Sequence, residues 1–511
     1  MKHLHELPLH PFFFAAYAVL LLYSSNLADV LPHDVIPPLV LAIGGAGAAL
    51  LIATLVLRDP RRGALVASAF VGVFFAFGYT ADPLADLGLG LRTQLAGSAI
   101  VVLGTAVGVW RFRTIAPTAN QALNVLGAVL VALSLVSIVP YEVGRATRST
   151  QPGTPQNGTS VHATRPGPER DVYYLVFDRY GSNWSLERNF GIVNEELPTW
   201  LERHGFQVVP GARANYASTD LSLASTLNLR FLDHLTETFG RDTDDRAPVR
   251  NLLQRHEVGR FLQSQGYRYF HLGSWWEPTA SNEIADAVLR YDERSEFGSV
   301  LHETTILPYL ERALFGPQES NAELGERHRQ ITLYQLRQLE RLRHEPGRKF
   351  VLAHMLLPHP PYVFRADGSA IPEGGLPGKT DLDLTAEQLE FTNAQIRSLV
   401  SRLLEGPPSS HPIIVIQADE GPHVCELPSC PTERQDRLGV RFGILGAYYL
   451  PDADTELSPD HSAVNTFRLV LSEYFGADLP PLPNRSYSSP PERIYDFEDV
   501  TELLPLPGSD R

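Results

Sequence analysis

Five apolar runs fill the first 140 residues, and no other property of the chain restricts its folding as much. They lie at roughly 12–27, 36–57, 64–79, 95–110 and 123–139, each near the ~20 residues that carry a helix across a bilayer. The competing arrangement is five buried helices of a soluble bundle. Charges in the connecting segments separate the two. Arg58, Arg61 and Arg62 follow the second run, Arg111 and Arg113 follow the fourth, and Lys2 precedes the first. The other connections carry Asp29 and Asp34, then Asp82, Asp86 and one arginine, Arg92. Alternation of this kind is the mark of membrane spans, with the basic connections on the cytoplasmic side. An odd number of spans then places everything after residue 140 outside the cell membrane.

Residues 144–170 are rich in Gly, Pro, Ser and Thr and have no apolar period, which reads as a linker. The expected organisation is therefore a five-helix transmembrane domain at 1–142, an extracytoplasmic linker at 143–169 and a second domain at 170–511. The second domain is mixed and acidic. The net charge of -15 argues against general nucleic-acid binding, which draws on basic patches.

Within the second domain, short apolar runs at 171–178, 206–209, 267–272, 349–357, 413–416 and 441–450 read as strands. Helical patterns at about 220–236, 248–266, 320–344, 385–405 and 461–475 fall among them. Such alternation predicts an α/β domain with a largely parallel central sheet and helices on both faces. Thr385 and Gln388 have the spacing of a capping box at the start of the fourth helix.

Open sheets of this kind bind ligands beyond the carboxyl ends of their strands. Asp178 ends the first strand, His354 and His359 lie within and just after another, and Asp419 and Glu420 end a third. If these strands are neighbours, three carboxylates and two imidazoles share one rim, which suits a divalent cation and a phosphoryl-like substrate. Each carboxylate is otherwise a polar turn at a strand end. Ser218, Thr219 and Asp220 precede a helical pattern, so one hydroxyl is expected at a helix N-terminus, as a nucleophile or as an ordinary cap. Cys425 and Cys430, the only cysteines, read on an oxidising outer face as a small disulfide clip, with free thiols or a metal pair as alternatives. Trp275 and Trp276 either line a substrate entrance, meet the membrane or join a hydrophobic satellite cluster.

The ordered segments DVYYLVFDRYG, ARANYASTDLSLASTLN, AHMLLPHPPYVF, IIVIQADEGP, RFGILGAYYLP and VNTFRLVLSEYFG resemble the sulfatase-like branch of the alkaline phosphatase superfamily. The whole plan resembles its membrane-anchored members, lipoteichoic acid synthases and lipid A phosphoethanolamine transferases. The resemblance implies metal ligands at Asp178, Thr219 and Asp419, with Thr219 as the nucleophile and Ser218 as second choice. It implies His359, and more weakly His354, as groups acting on the transferred moiety. Arg213, upstream of the nucleophile segment, pairs with an anionic oxygen of substrate or is a solvated surface arginine.

Two departures from the family pattern stand out. Glu420 occupies the place of a histidine or asparagine, which gives an expected ligand set of Asp178, Thr219, Asp419 and Glu420, all oxygen. One divalent cation, Mg, Mn or Ca in preference to Zn, is the matching cofactor. Arg179 follows Asp178 where relatives often have glycine and soluble sulfatases a second aspartate, which favours one metal over two. The expected function is metal-dependent transfer or hydrolysis of phosphodiesters of phospholipid head-group type at the outer face of the membrane, through a covalent threonine intermediate. The expected partners are the lipid bilayer and a phospholipid or envelope-glycan substrate. The alternatives are a plain phosphodiesterase or sulfatase and a catalytically inactive relative that binds the envelope.

Overall fold

The computed structural model describes residues 7–112, 116–149, 161–315, 324–372, 375–424 and 430–505. The chain forms two compact units, one of residues 1–150 and 294–324, the other of residues 151–293 and 325–511.

The first unit contains α1 (His10–Ser24), α2 (Pro32–Leu57), α3 (Pro60–Asp86), α4 (Leu91–Arg111) and α5 (Ala116–Ser149). Their starts follow from local chemistry. Proline stands in the first turn of α1, α2 and α3, where a missing N–H costs nothing, and the Asp59 carboxylate accepts from the N–H groups of Arg61 and Arg62. The backbone N–H groups of Leu9 and His10 donate to the Asn124 side chain of α5 at 3.0 and 2.8 Å. Helices α2 to α5 are long and apolar enough to cross a membrane, whereas α1 has only 15 residues, about 22 Å at 1.5 Å per residue. Burial decides between lipid and a water-soluble bundle. Only 6% of the most apolar window of α2, 11% of that of α4 and 17% of that of α5 are buried by protein. Side chains such as Leu41, Val56, Ile100 and Val136 stand exposed, and water would not tolerate so large an apolar surface.

Two short helices, Glu296–Thr304 and Leu307–Phe315, also belong to this unit. Phe297 and Leu301 are buried with Val19, Tyr23, Val35 and Ile138. The Ile306 N–H donates to the Phe74 carbonyl at 2.9 Å, and the Tyr309 ring lies 4.8 Å from that of Phe77.

The second unit is built on a seven-stranded sheet of order β2-β7-β6-β1-β5-β3-β4. The strands are β1 (Val172–Phe177), β2 (Gln207–Val208), β3 (Arg268–Leu272), β4 (Ala287–Leu289), β5 (Lys349–Met355), β6 (Ile413–Gln417) and β7 (Gly446–Tyr449). The strands from β6 to β4 run parallel, and β7 and β2 close one edge antiparallel. All residues of β1, β5 and β6 are buried, as expected for central parallel strands covered on both faces.

Several local expectations change. The run at 441–450 is not one strand: Arg434–Phe442 is a helix and only Gly446–Tyr449 pairs as β7. The helix expected from Thr385 begins earlier, at Asp381. There Thr380 and Asp383 form the capping box, because Thr385 instead bonds the Asp381 carbonyl one turn back. The helix expected over 220–236 breaks at Leu229, whose φ of 64° cannot continue a right-handed helix.

Candidate metal centre

Strand register brings the first group of site residues together. Val176 of β1 pairs with His354 of β5 on one side and with Gln417 of β6 on the other. Asp178, His354 and Asp419 therefore meet at the carboxyl ends of three adjacent parallel strands. Each offers a ligand atom within 4.8 Å of those of the other two, and all three residues are buried. His354 Nε2 lies 3.5 Å from Asp178 Oδ2.

Among the described residues, three atoms here have no hydrogen-bond partner: Asp178 Oδ1, Asp419 Oδ2 and His354 Nε2. Leaving polar groups buried and unpaired is costly, and more so when they are charged. Electrostatics pulls the two carboxylates apart. Burial pushes Asp178 up, but His359, His354 and Arg179 together hold it below the ordinary carboxylate range. Burial, Asp178 and Glu420 push Asp419 up, against the opposing pull of His354 and Thr219. Two buried aspartates competing for charge, with an imidazole nitrogen beside them, make a candidate donor set for a divalent cation.

The tautomer of His354 follows from its neighbours. Its Nδ1 lies 2.8 Å from Thr279 Oγ1, which lies 2.8 Å from Ser274 Oγ, and Ser274 Oγ donates to the Trp276 carbonyl. With the Ser274 proton committed there, Thr279 donates to Ser274 and accepts from His354 Nδ1. The Nε2 lone pair is thus left facing the aspartates, as in a ligating histidine oriented by an outer partner. Thr279 is also tied to a deeper chain. The Gly259 N–H donates to His256 Nδ1, His256 Nε2 then donates to the Tyr269 hydroxyl, Tyr269 to His271 Nδ1, and His271 Nε2 to the Thr279 carbonyl. Burial holds His256 at about 3 and His271 at about 4, so both are neutral, as this order of donors requires.

Thr219 is the first residue of the helix Thr219–Leu227, with Ser218 as its cap position. Ser222, one turn later, donates to the Asp419 carbonyl at 2.6 Å and so fastens this helix to the end of β6. Thr219 is half-buried and sits with the free N–H groups of a helix start, next to Asp419. The Ser218 hydroxyl is engaged elsewhere, donating to Asp220 at 2.6 Å. Asp220, fully buried, is in turn paired with Arg246 at 2.7 Å.

Glu420 is not in the unsatisfied cluster, although it was expected among the ligands. Successive residues leaving a strand point to opposite sides, and Glu420 turns to two guanidiniums. Arg179 Nε donates to Oε1 at 3.0 Å and Arg441 Nη2 to Oε2 at 2.7 Å. Arg441 also donates to the Ala217 carbonyl at 2.6 Å, beside the Thr219 segment. The intervening turn is tight: a Cβ on Gly421 would meet the Val440 carbonyl oxygen at 2.0 Å. Among the described residues the candidate metal-holding group is Asp178, His354 and Asp419, while of the expected all-oxygen set Glu420 is paired with arginines; two aspartates and an imidazole are a donor set that admits Zn and Mn as well as Mg.

His359 is half-buried near Asp178, and burial lowers it against the pull of that carboxylate. Trp275 lies 5.9 Å from the His359 ring and stacks on His328 at 4.0 Å, and Trp276 meets His354 edge-on at 5.9 Å. The two tryptophans thus flank the site histidines. His423, exposed at the rim, is held at about 3 by partial desolvation and by Arg179 and Arg441. Arg213 is elsewhere. It is buried, donates to the Pro505 carbonyl at 2.6 Å and bridges Gly443 and Ser462 through its backbone, so it fastens the C-terminal stretch. Cys430 is disulfide-bonded; Cys425 lies outside the described residues.

Sequence reasoning missed Thr279 and Arg441. Neither carries a local signal, since each reaches the site from a loop or helix whose position only the folded sheet defines.

No family model and no curated protein matches the sequence. Solved structures similar to it include the zinc complex of the C-terminal periplasmic domain of EptC from Escherichia coli, at 12% identity and a TM-score of 0.45, covering 68% of this chain and 97% of that one. The integral membrane lipooligosaccharide phosphoethanolamine transferase A from Neisseria meningitidis matches at 14% identity and a TM-score of 0.40, covering 91% and 95%. The lipoteichoic acid synthase LtaP from Listeria monocytogenes matches at 12% identity and a TM-score of 0.38, covering 63% and 78%.

Proposed function

We propose that the protein is a membrane-anchored, metal-dependent enzyme that transfers or hydrolyses the phosphoryl group of a phosphodiester, such as a phospholipid head group, at the outer face of the membrane. The observation that carries this reading is the convergence of three buried donor atoms, on Asp178, Asp419 and His354, that have no hydrogen-bond partner among the described residues, next to a hydroxyl at a helix start. Asp178, Asp419 and His354 would hold one divalent cation, with Thr219 as the fourth donor. That ion would supply Lewis-acid polarisation of a phosphoryl oxygen and lower the pKa of a nearby hydroxyl.

The protein's own groups do the rest. The Thr219 oxygen attacks phosphorus, forming a P–O bond as the bond to the leaving alcohol breaks. His359 takes the threonine proton and returns it to the departing alkoxide, so that a neutral alcohol leaves. An acceptor hydroxyl, or water, then attacks the phosphothreonine and frees Thr219. A lipid donor is favoured by the apolar helices of the first unit, which would keep the site near the bilayer.

An inactive, envelope-binding relative would not need a cation among these three residues. The test is metal content and turnover of bis(p-nitrophenyl) phosphate by the full-length chain in detergent, beside Thr219→Ala. About one equivalent of bound metal, with turnover lost in Thr219→Ala and a phosphothreonine trapped on acid quench of the wild type, supports the reading. Absence of metal and of turnover overturns it.

A further inference from the structure

Arg179 is the residue least expected next to the first aspartate, and its setting is unusual in three respects. Its φ is 58°, a left-handed conformation seldom adopted by a residue with a long side chain. Its backbone N–H donates to Asp419 Oδ1 at 3.2 Å, which fixes the main chain beside the metal centre. Its Nε donates to Glu420 and lies 4.0 Å from Asp178 Oδ1, while its two Nη groups have no hydrogen-bond partner among the described residues and the side chain keeps 21% of its surface open to solvent. A guanidinium held by one nitrogen, with its planar fork free, is prepared for a bidentate acceptor.

The charges around it restrict that acceptor. The two aspartates match a divalent cation charge for charge. Glu420, only 2% exposed, neutralises one of its two guanidiniums. One positive charge is left over. It belongs to Arg179 rather than Arg441, because Arg441 is already spent on Glu420 and on the carbonyls of Gly421 and Ala217. Besides burial, the Arg179 charge lowers both His359 and His423.

We infer that Arg179 is a catalytic residue, binding the non-bridging oxygens of a singly charged phosphodiester through its free fork, and that Glu420 acts as its buttress rather than as a metal ligand. This rests on the metal-site reading above and deepens it. Where a second cation would leave the pocket strongly positive, one cation and one guanidinium leave it matched to a monoanion. A diester is thereby favoured over the dianion of a monoester.

Calorimetric binding of dimethyl phosphate and of methyl phosphate to the full-length, Mn-loaded chain at pH 8 tests the inference, with Mn affinity measured in parallel. Wild type is expected to bind dimethyl phosphate more tightly. Arg179→Gln should weaken it by about 10-fold or more, the size of a lost charge-assisted pair, with Mn affinity kept or raised, since a positive charge 4.0 Å from Asp178 Oδ1 is removed. Arg179→Lys, which keeps the charge but not the fork, should fall between the two. Wild-type binding of dimethyl phosphate by Arg179→Gln, a wild type that holds Mn without binding the diester, or a preference for methyl phosphate overturns the assignment. If no Mn is held, the metal reading fails separately. Arg179 is then judged on dimethyl phosphate alone, where only a loss in Arg179→Gln sustains it.

Discussion

Asp419 and Glu420 are adjacent in sequence, equally buried and both acidic, yet their surroundings are opposite. Asp419 lies beside another carboxylate and an imidazole, and three of the donor atoms there have no hydrogen-bond partner among the described residues. Glu420 has both oxygens satisfied by arginines. A buried charge already paired gains little from an ion, whereas one left unpaired beside a like charge needs an ion to be tolerable. The same residue chemistry thus gives a binding site in one case and a brace in the other.

That contrast can be broken by substitution. Asp419→Asn should abolish stoichiometric metal binding and lower diester turnover by at least about 10⁴-fold, on the scale of losing a central catalytic group; metal content and kcat/KM report both. If Asp419→Asn keeps its metal, the unsatisfied cluster is not the site. Glu420→Gln should do the reverse, keeping the metal while lowering unfolding stability by about 3 kcal/mol, since two partly buried guanidiniums lose their counter-charge. Denaturant unfolding of the metal-loaded protein measures it, and loss of metal instead would restore Glu420 to the ligand set. Thr279→Val should weaken metal binding by ~10- to 100-fold, typical of removing an outer partner of a ligating histidine. Thr279→Ser, which keeps the hydroxyl, should recover it; equal affinities in wild type and Thr279→Val would show that Thr279 does not orient His354. Removing the metal from the wild type by chelation should cost about 3 kcal/mol relative to protein held at a hundredfold excess over its Kd, with no such difference in Asp419→Asn.

Much of this was legible in the sequence, for identifiable reasons. β1 and β6 are unbroken apolar runs ending in aspartate, and central parallel strands leave that pattern. Thr219 stands at a helix start, which is written locally. His354 was harder, because it lies inside a strand rather than after it, and its role depends on which strand neighbours β1. Glu420 was grouped with Asp419 because the two are sequence neighbours, although alternation along an extended chain sends neighbours apart, and Glu420 pairs with two arginines. Arg213 was misplaced for a similar reason: proximity to Thr219 along the chain says nothing of direction. Thr279 and Arg441 could not be read at all, since 75 residues separate Thr279 from His354 and 21 separate Arg441 from Glu420.

The helices Glu296–Thr304 and Leu307–Phe315 follow β4 in sequence, yet Phe297, Leu301 and Tyr309 pack on the helices of the first unit. Cutting the chain in the linker would therefore not release a freely soluble fragment. Residues 161–511 alone would carry a sticky hairpin stripped of its cover, prone to self-association and adsorption to vesicles. Purification of that fragment would call for mild detergent, or for polar replacements at Phe297 and Leu301.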